Sequence, residues 1–308
     1  MAAEGGTRAI LAAFFANLGI AIAKFIAFAF TGAASMLAEA VHSVADTSNQ
    51  GLLLLGRKRA RRGADEERPF GYGRERYFWS FIVALVLFTF GGLFALFEGI
   101  EKLRHPHELG PAAWAIGVLA FAIVAEIFSL RTAVRESRTA KGSAGWWHFI
   151  REARSPELPV VLLEDIGALL GLVFALVGVG LAEVTGNARW DALGSVAIGI
   201  LLTVIALVLT VEMRSLLIGE TAHAGEIARI RREIEGSPRI RRLLEMRTQH
   251  LGPEQLLVAA KVELDPELGF DDVVAAVDEA ERRVRESVPS AVFLYMEPDL
   301  PSHTTGGS

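Results

Sequence analysis

Six long apolar segments constrain the fold of this chain more than any other feature. They cover roughly residues 9–30, 33–55, 77–99, 111–133, 158–183 and 189–216. A helix needs about 20 apolar residues to cross the hydrocarbon core of a bilayer, so each segment is long enough for one span. The mean hydropathy of +0.37 and the hydrophobic fraction of 52% are typical of an integral membrane protein rather than a soluble enzyme. The sequence therefore predicts an all-α transmembrane domain of six helices over residues 1–216.

The basic residues indicate how these spans are oriented. They concentrate in the connection after the second segment, GRKRARRGADEERPFGYGRER, and in the connection after the fourth. Because cytoplasmic loops carry an excess of lysine and arginine, we expect both connections in the cytoplasm. With six spans, the N-terminus and the C-terminus are then cytoplasmic as well.

The composition of the chain limits the metals and macromolecules that it can bind. The chain has no cysteine, which excludes disulfides and thiolate metal sites, so a metal would need His, Asp, Glu, Asn or backbone oxygen as its ligands. A net charge of −5 gives no reason to expect nucleic-acid binding. Membrane lipid is an expected partner.

Residues 217–300 have a soluble, charged composition. GEIARIRREIEGS has helical spacing, IRRLLEMRTQ and QLLVAAKVEL are predicted strands separated by the turn signal LGP, and SAVFLYM is a last strand. Between them FDDVVAAVDEAERRVRESV predicts an amphipathic helix with one apolar side, formed by Val273, Val274, Val277, Ala280 and Val284. The order α-β-β-α-β predicts a ferredoxin-like α+β domain, followed by a disordered tail at 301–308.

A polar stripe crosses the second segment. Glu39, His42, Asp46 and Asn49 have 3-4-3 spacing and fall within an arc of about 80° on one helix face, whereas Gln50 lies off it. Charged groups within a bilayer are costly and commonly mark a substrate path, and His and Asp at i, i+4 can reach one transition-metal ion. The alternative is a buried polar network that only holds helices together.

A second group of acids lies in the fifth segment. Glu164 and Asp165 are adjacent in LLEDIG, so their side chains point about 100° apart. We expect one of them to line a site and the other to meet a neighbouring helix or solvent. The alternative places both at a helix end near the interface. Glu126 is predicted to lie near the end of the fourth span, without a functional role.

These features together resemble the cation diffusion facilitator family. The resemblance rests on HSVAD in the second span, GYGRERYFW entering the third, an acid in the fifth and the α-β-β-α-β tail, and it covers about residues 8–298. LEDIGALLG and LLIGE are similar to the zinc transporter-9-like subgroup. The resemblance implies a homodimer that exports Zn²⁺ or a related divalent ion in exchange for protons, by alternating access.

Residue by residue, the resemblance assigns a metal site between spans two and five. His42 and Asp46 match the second-span motif, and Asp165 matches the last residue of the fifth-span motif. Val161 stands where the family usually has His or Asp. We expect Glu164, Asn49 or a water to replace that ligand, with Glu39 as a further candidate.

The cytoplasmic parts depart from the family pattern. The connection after span two keeps Asp65 but has Arg68 and Tyr72 where related transporters carry histidines. The positions that match metal ligands in the C-terminal domain of other members are Leu244, Lys261 and Tyr295. We therefore expect no metal cluster in this domain, and we expect His250 to be a solvated loop residue.

The sequence thus predicts a proton-coupled divalent-cation antiporter, with Zn²⁺ favoured as the substrate and no catalytic residues or cofactor. Two alternatives stay open: a Mn²⁺, Fe²⁺ or Co²⁺ transporter of the same family, and a membrane scaffold or sensor that binds metal without transporting it. An intramembrane metalloprotease is disfavoured because HSVAD lacks the glutamate of an HExxH helix.

Overall fold

The computed structural model describes residues 2–31, 34–105, 112–143 and 145–300. The chain forms two compact units. Unit 1 contains the chain up to Arg62 and Glu75–Arg214, and unit 2 contains Gly63–Arg74 and the chain from Ser215 onward. The tail predicted at 301–308 lies outside the described residues.

Unit 1 is built from helices. They are α1 (Ala2–Thr31), α2 (Ala34–Ala60), α3 (Glu75–Val86), α4 (Phe94–Arg104), α5 (Ala112–Lys141), α6 (Trp146–Glu152), α7 (Glu157–Thr185) and α8 (Arg189–Ile218). A π-helical segment, Leu87–Leu93, joins α3 to α4, so that Glu75–Arg104 forms one long helical element.

Four helical elements in the described residues are long and apolar enough to cross a membrane. They are Glu75–Arg104, Ala115–Lys141, Glu157–Thr185 and Arg189–Ile218, which correspond to the third to sixth predicted spans. The membrane domain is confirmed at the level of these four helices. In α1 the apolar stretch Ile10–Ala23 is shorter than each of these four elements. The crossing of the bilayer by α1 and α2, and the cytoplasmic termini, stay predictions.

The helices of unit 1 pack through small residues. α1 contacts α2, α5 and α7, and α5 packs along α7. The closest approaches involve α8: a Cβ at Gly199 would lie 2.6 Å from the backbone nitrogen of Leu96, and one at Gly99 would lie 2.7 Å from that of Val196. Small residues let membrane helices approach closely, so the α4–α8 contact depends on these glycines.

Unit 2 has the predicted order of elements. It contains α9 (Ala224–Glu235), β1 (Ile240–Gly252), β2 (Gln255–Leu264), α10 (Phe270–Ser287) and β3 (Phe293–Pro298). The sheet order is β1-β2-β3, with β1 antiparallel to β2 and β2 parallel to β3. Since a parallel pair needs a crossover connection, α10 provides it. The full ferredoxin-like topology stays a prediction.

The core of unit 2 lies between its helices and the sheet. Ile230 and Ile234 of α9 are fully buried, as their spacing predicts. On α10 the buried positions are Ala276, Ala280 and Val284, whereas Val274 is 43% exposed. The predicted apolar side of this helix was therefore wrong at Val274, because the packed face is set by the i, i+4, i+8 series that begins at Ala276.

The prediction that His250 is a solvated loop residue is wrong. His250 lies in β1, pairs with Leu256 of β2 and is 2% exposed. Its backbone N–H donates to the carbonyl oxygen of Glu220 at 2.8 Å. The strand continues through the residues before the turn because the hairpin register runs on to Gly252 and Gln255.

The segment Gly63–Arg74 packs within unit 2. The Tyr72 hydroxyl donates to Asp65 Oδ2 at 2.6 Å, and this hydrogen bond is the main reason that the pKa of Asp65 is lowered from its usual value. The Phe70 ring meets the Phe293 ring edge-on with 5.2 Å between centroids. A Cβ at Gly73 would lie 2.8 Å from the carbonyl oxygen of Leu251. The segment therefore lies against the end of β1 and against β3.

Candidate metal site

Helices α2 and α7 are joined inside unit 1 by the carboxylate of Glu164. Asn49 Nδ2 donates to Glu164 Oε1 at 2.9 Å, and Gln50 Nε2 donates to Glu164 Oε2 at 2.9 Å. All three side chains are buried. Because a buried polar group that loses its hydrogen bond is costly, these two contacts hold α2 against α7 at this level. Gln50, which the spacing leaves off the polar stripe, joins the network from the neighbouring face.

The adjacent Asp165 points to a different helix. Ser129 Oγ of α5 donates to Asp165 Oδ2 at 2.9 Å, and both residues are buried. The two acids thus diverge as the helical spacing predicts, with Glu164 directed to α2 and Asp165 directed to α5. Both acids are buried and lie about two turns inside α7, so neither is at an exposed helix end.

Asp46 brings a third carboxylate to this region. It is half-buried on α2, one turn before Asn49 and Gln50, and it interacts electrostatically with both Glu164 and Asp165. Like charges within a membrane domain repel one another strongly, because little water screens them. A bound cation would offset this repulsion, which makes the cluster of Asp46, Glu164 and Asp165 suited to a divalent ion.

The side chains of Glu39 and His42 lie outside the described residues, although the backbone of both is helical in α2. Within the described residues, no group of three or more His, Asp and Glu side chains lies close enough to hold a metal ion. The three acids therefore form an electrostatic cluster rather than a finished coordination sphere. The roles of His42 and Glu39 as ligands stay predictions.

The position expected to carry the fourth metal ligand is occupied by a buried apolar residue. Val161, one turn before Asp165 on α7, is fully buried. Two amide oxygens, Asn49 Oδ1 and Gln50 Oε1, are buried without a hydrogen-bond partner in the described part of the chain. A buried acceptor without a partner is costly, and a cation or a water molecule would satisfy it. These oxygens are therefore candidate donors in place of Val161.

Glu126 is buried on α5 one turn before Ser129, and α5 continues to Lys141. Where Glu126 lies relative to the ends of its span stays a prediction. The buried face of α5 repeats at intervals of three and four residues and consists of Ala122, Glu126, Ser129, Ala133 and Ser137. This periodicity was the signal in the sequence that could have identified Ser129 as a residue facing the acids of α7.

A buried ion pair joins α3 to α7. Arg76 Nη2 donates to Glu157 Oε2 at 2.8 Å, and Arg76 Nε donates to Glu157 Oε1. Both side chains are almost fully buried. The sequence gives little sign of this pair, since both residues lie at the edges of charged connections that are typical of solvent-exposed loops.

Known proteins provide a comparison for this arrangement. Residues 10–218 match the family model described as the cation efflux transmembrane domain. The chain is 34% identical over 244 residues to the mouse (Mus musculus) protein named proton-coupled zinc antiporter SLC30A9, mitochondrial. That alignment covers 79% of this chain but 43% of the relative, so the chain spans less than half the length of this protein.

More distant relatives are named for metals or for magnetosomes. Metal tolerance protein C4 of Arabidopsis thaliana is 27% identical over 266 residues, which is 85% of this chain and 58% of the relative. Magnetosome protein MamB of Magnetospira sp. (strain QH-2) is 28% identical over 203 residues, which is 65% of this chain and 63% of the relative.

Proposed function

The chain belongs to the cation efflux family, also known as the cation diffusion facilitators, and we propose that it exchanges a divalent metal cation for protons across a membrane. Zn²⁺ is the favoured substrate, since the relative at 34% identity is named a proton-coupled zinc antiporter. The observation that carries this proposal is the buried polar contact between α2 and α7, in which Asn49 and Gln50 donate to Glu164 beside the buried Asp165.

The proposed ligands are His42, Asp46 and Asp165, with a fourth donor from the buried polar network. Glu164 already accepts two amide N–H groups, so we propose that it orients Asn49, whose Oδ1 is directed elsewhere and has no partner in the described residues. Asn49 Oδ1 or a water molecule then replaces the ligand that is missing at Val161. Protons and metal compete for these groups because a ligand must be deprotonated to bind.

The proposed architecture places this site in a dimeric transporter. Six spans, with both termini in the cytoplasm, would present the site alternately to the two sides of the membrane as one group of helices moves against another. Residues 217–300 would serve in dimerisation and regulation. The sheet and the two helices of this part form a separate core, which supports an independent role.

A harder metal is the second candidate for the substrate. Val161 is fully buried, so the proposed site has one imidazole nitrogen and otherwise oxygen donors. Such a set suits Mn²⁺ or Fe²⁺ better than a site with two histidines, and Co²⁺ is a further candidate. Competition between these ions and Zn²⁺ for uptake would rank them.

Uptake of Zn²⁺ into proteoliposomes under a pH gradient tests the proposal. We expect Asp46→Asn and Asp165→Asn each to lower the proton-linked rate at least about tenfold, because a buried site that loses one charged ligand binds a divalent ion poorly. Glu183→Gln is the matched control, since Glu183 is an exposed acid on α7. Wild-type rates in either site variant would overturn the site, and Zn²⁺ binding without proton flux in the wild type would favour a scaffold or sensor.

A further inference from the structure

A groove of about 840 Å³ runs along α5 on unit 1 and has one lining residue from α7. Its lining combines apolar side chains with cationic ones: Ile127, Leu130, Arg131, Val134, Arg135, Arg138 and Thr139 from α5, and Leu169 from α7. The transport site proposed above uses none of these residues. The groove therefore needs an explanation of its own.

The three arginines of the groove share one face of α5. Arg131, Arg135 and Arg138 follow i, i+4, i+7 spacing, which places them in one row along the helix. Ser129, which contacts Asp165, lies about 160° around the helix from Arg131, so the row points away from the metal site. All three side chains are exposed, and none forms an ion pair with a carboxylate in the described ranges of the chain.

The lining changes character along the groove. Along α5 the lining runs from Ile127 and Leu130, which are apolar, to Arg138 and Thr139, which are polar. The distance from Ile127 to Thr139 along α5 is about 18 Å at the helical rise. The groove thus has an apolar half at the depth of a membrane helix and a cationic half where the helix becomes polar. A molecule that fits must carry hydrocarbon at one end and negative charge at the other.

We propose that this groove binds an anionic phospholipid, with the headgroup phosphate on the arginines and acyl carbon on Ile127, Leu130 and Leu169. Guanidinium groups hold phosphate oxygens through paired hydrogen bonds, and basic pockets between membrane helices are suited to anionic headgroups. Free phosphate would use only the cationic half and leave the apolar half exposed. This site does not depend on the transport proposal, since it requires only that unit 1 be embedded in a bilayer.

Native mass spectrometry of the purified full chain tests the lipid site. The protein is mixed in detergent with phosphatidylglycerol and phosphatidylcholine of matched acyl chains. We expect one phosphatidylglycerol per chain to be retained in preference to phosphatidylcholine. Replacing Arg131→Gln, Arg135→Gln and Arg138→Gln together should weaken that retention about 100-fold, since each basic side chain near an anionic surface contributes about fivefold.

A matched control removes the same charge elsewhere. Arg229→Gln, Arg231→Gln and Arg232→Gln alter exposed positions on α9 of unit 2 and should leave retention unchanged. If the triple variant of α5 does not fold, Arg138→Gln alone should show about a fivefold loss. Equal retention of the two lipids, or wild-type retention in the α5 variant, would overturn the proposal.

A third measurement distinguishes a binding site for phospholipid from a binding site for free phosphate. Inorganic phosphate at millimolar concentration should not displace the bound phosphatidylglycerol, whereas Leu130→Ser should weaken its retention by removing apolar contact. Displacement by phosphate, with no effect of Leu130→Ser, would identify a site for soluble anions and overturn the lipid assignment.

Discussion

At the scale of single residues, the adjacent acids of α7 have different environments. Both oxygens of Glu164 accept amide N–H groups from α2, whereas the hydrogen bond to Asp165 uses Oδ2 alone. The contact of Asp165 with Ser129 involves one carboxylate oxygen, so we assign the other oxygen to the cation. Ser129 therefore has a positioning role in the proposed site, since it fixes the carboxylate plane of Asp165.

Removing this hydroxyl should weaken the metal site without destroying the fold. We expect Ser129→Ala to raise the apparent KM for Zn²⁺ uptake about tenfold with a smaller effect on kcat, because a hydrogen bond to a charged group contributes about 1.5–3 kcal/mol. Ser129→Thr, which keeps the hydroxyl, should restore the wild-type KM. Uptake kinetics in proteoliposomes measure both parameters.

Ser137→Ala is the control for this prediction. Ser137 is buried on the same face of α5, and its Oγ has no hydrogen-bond partner in the described part of the chain. Its replacement should leave the KM unchanged. Equal changes in KM for Ser129→Ala and Ser137→Ala would show that the effect comes from packing rather than from the contact with Asp165.

At the scale of whole elements, the Arg76–Glu157 ion pair should determine how firmly α3 is held against α7. Breaking a buried pair leaves one charge without compensation and typically costs about 3–5 kcal/mol. We expect Glu157→Gln and Arg76→Met each to lower the thermal midpoint strongly, and the combined variant to lose clearly less than the two losses added together. Thermal unfolding in detergent at matched protein concentration gives these values.

An exposed pair of the same type provides the comparison for Glu157. Arg231 Nη1 lies 3.5 Å from Glu235 Oε1 on α9, and the two side chains are 53% and 44% exposed. Because water screens such a pair, Arg231→Met should cost less than about 1 kcal/mol. Additive losses at Arg76 and Glu157 would contradict a direct energetic coupling between α3 and α7.

The packing of α4 against α8 depends on glycine. A methyl group at Gly199 would lie 2.6 Å from the backbone nitrogen of Leu96 and 3.0 Å from the carbonyl oxygen of Gly92, so the helices would have to separate. We expect Gly199→Ala to destabilise unit 1 by about 1–3 kcal/mol in thermal unfolding. Gly180→Ala on α7 is the control: no atom lies within 4 Å of the added methyl. That variant should be neutral or more stable, and equal destabilisation by both variants would refute the close contact.

At the scale of the whole molecule, local patterns in the sequence predict most elements but not the partners of individual side chains. The length of the apolar segments was sufficient to predict the four long helices. Helical spacing was sufficient to predict that the side chains of Glu164 and Asp165 point in different directions. Gln50 and Glu126 were assigned no part in the site because a period identifies the face of a helix and not the helix that packs against it. The placement of His250 failed for a related reason: the register with β2, rather than the turn signal, determines where β1 ends.

The membrane topology can be tested on the whole chain because it has no cysteine. Between Gly63 and Asn187 the chain contains three of the helical elements that are long enough to cross a membrane, so these two positions should lie on opposite sides. Gly63→Cys should react with a membrane-impermeant thiol reagent in inverted vesicles, and Asn187→Cys in right-side-out vesicles. The basic connection after α2 assigns Gly63 to the cytoplasm.

A third position tests the first two spans, which the four long helices leave as predictions. If α1 and α2 both cross the bilayer, Thr7→Cys must react from the same side as Gly63→Cys, because an even number of crossings separates them. If only one of these helices crosses, Thr7→Cys must react from the opposite side. If neither crosses, Thr7→Cys again reacts from the side of Gly63→Cys. Ala34→Cys, at the start of α2, separates this case from two crossings, because it reacts from the side of Asn187→Cys if both helices cross and from the side of Gly63→Cys if neither does. The unsubstituted chain is the blank for every measurement, since any labelling of it would be non-specific. Labelling of Thr7→Cys from the side of Asn187→Cys, rather than from the side of Gly63→Cys, would contradict six spans with a cytoplasmic N-terminus.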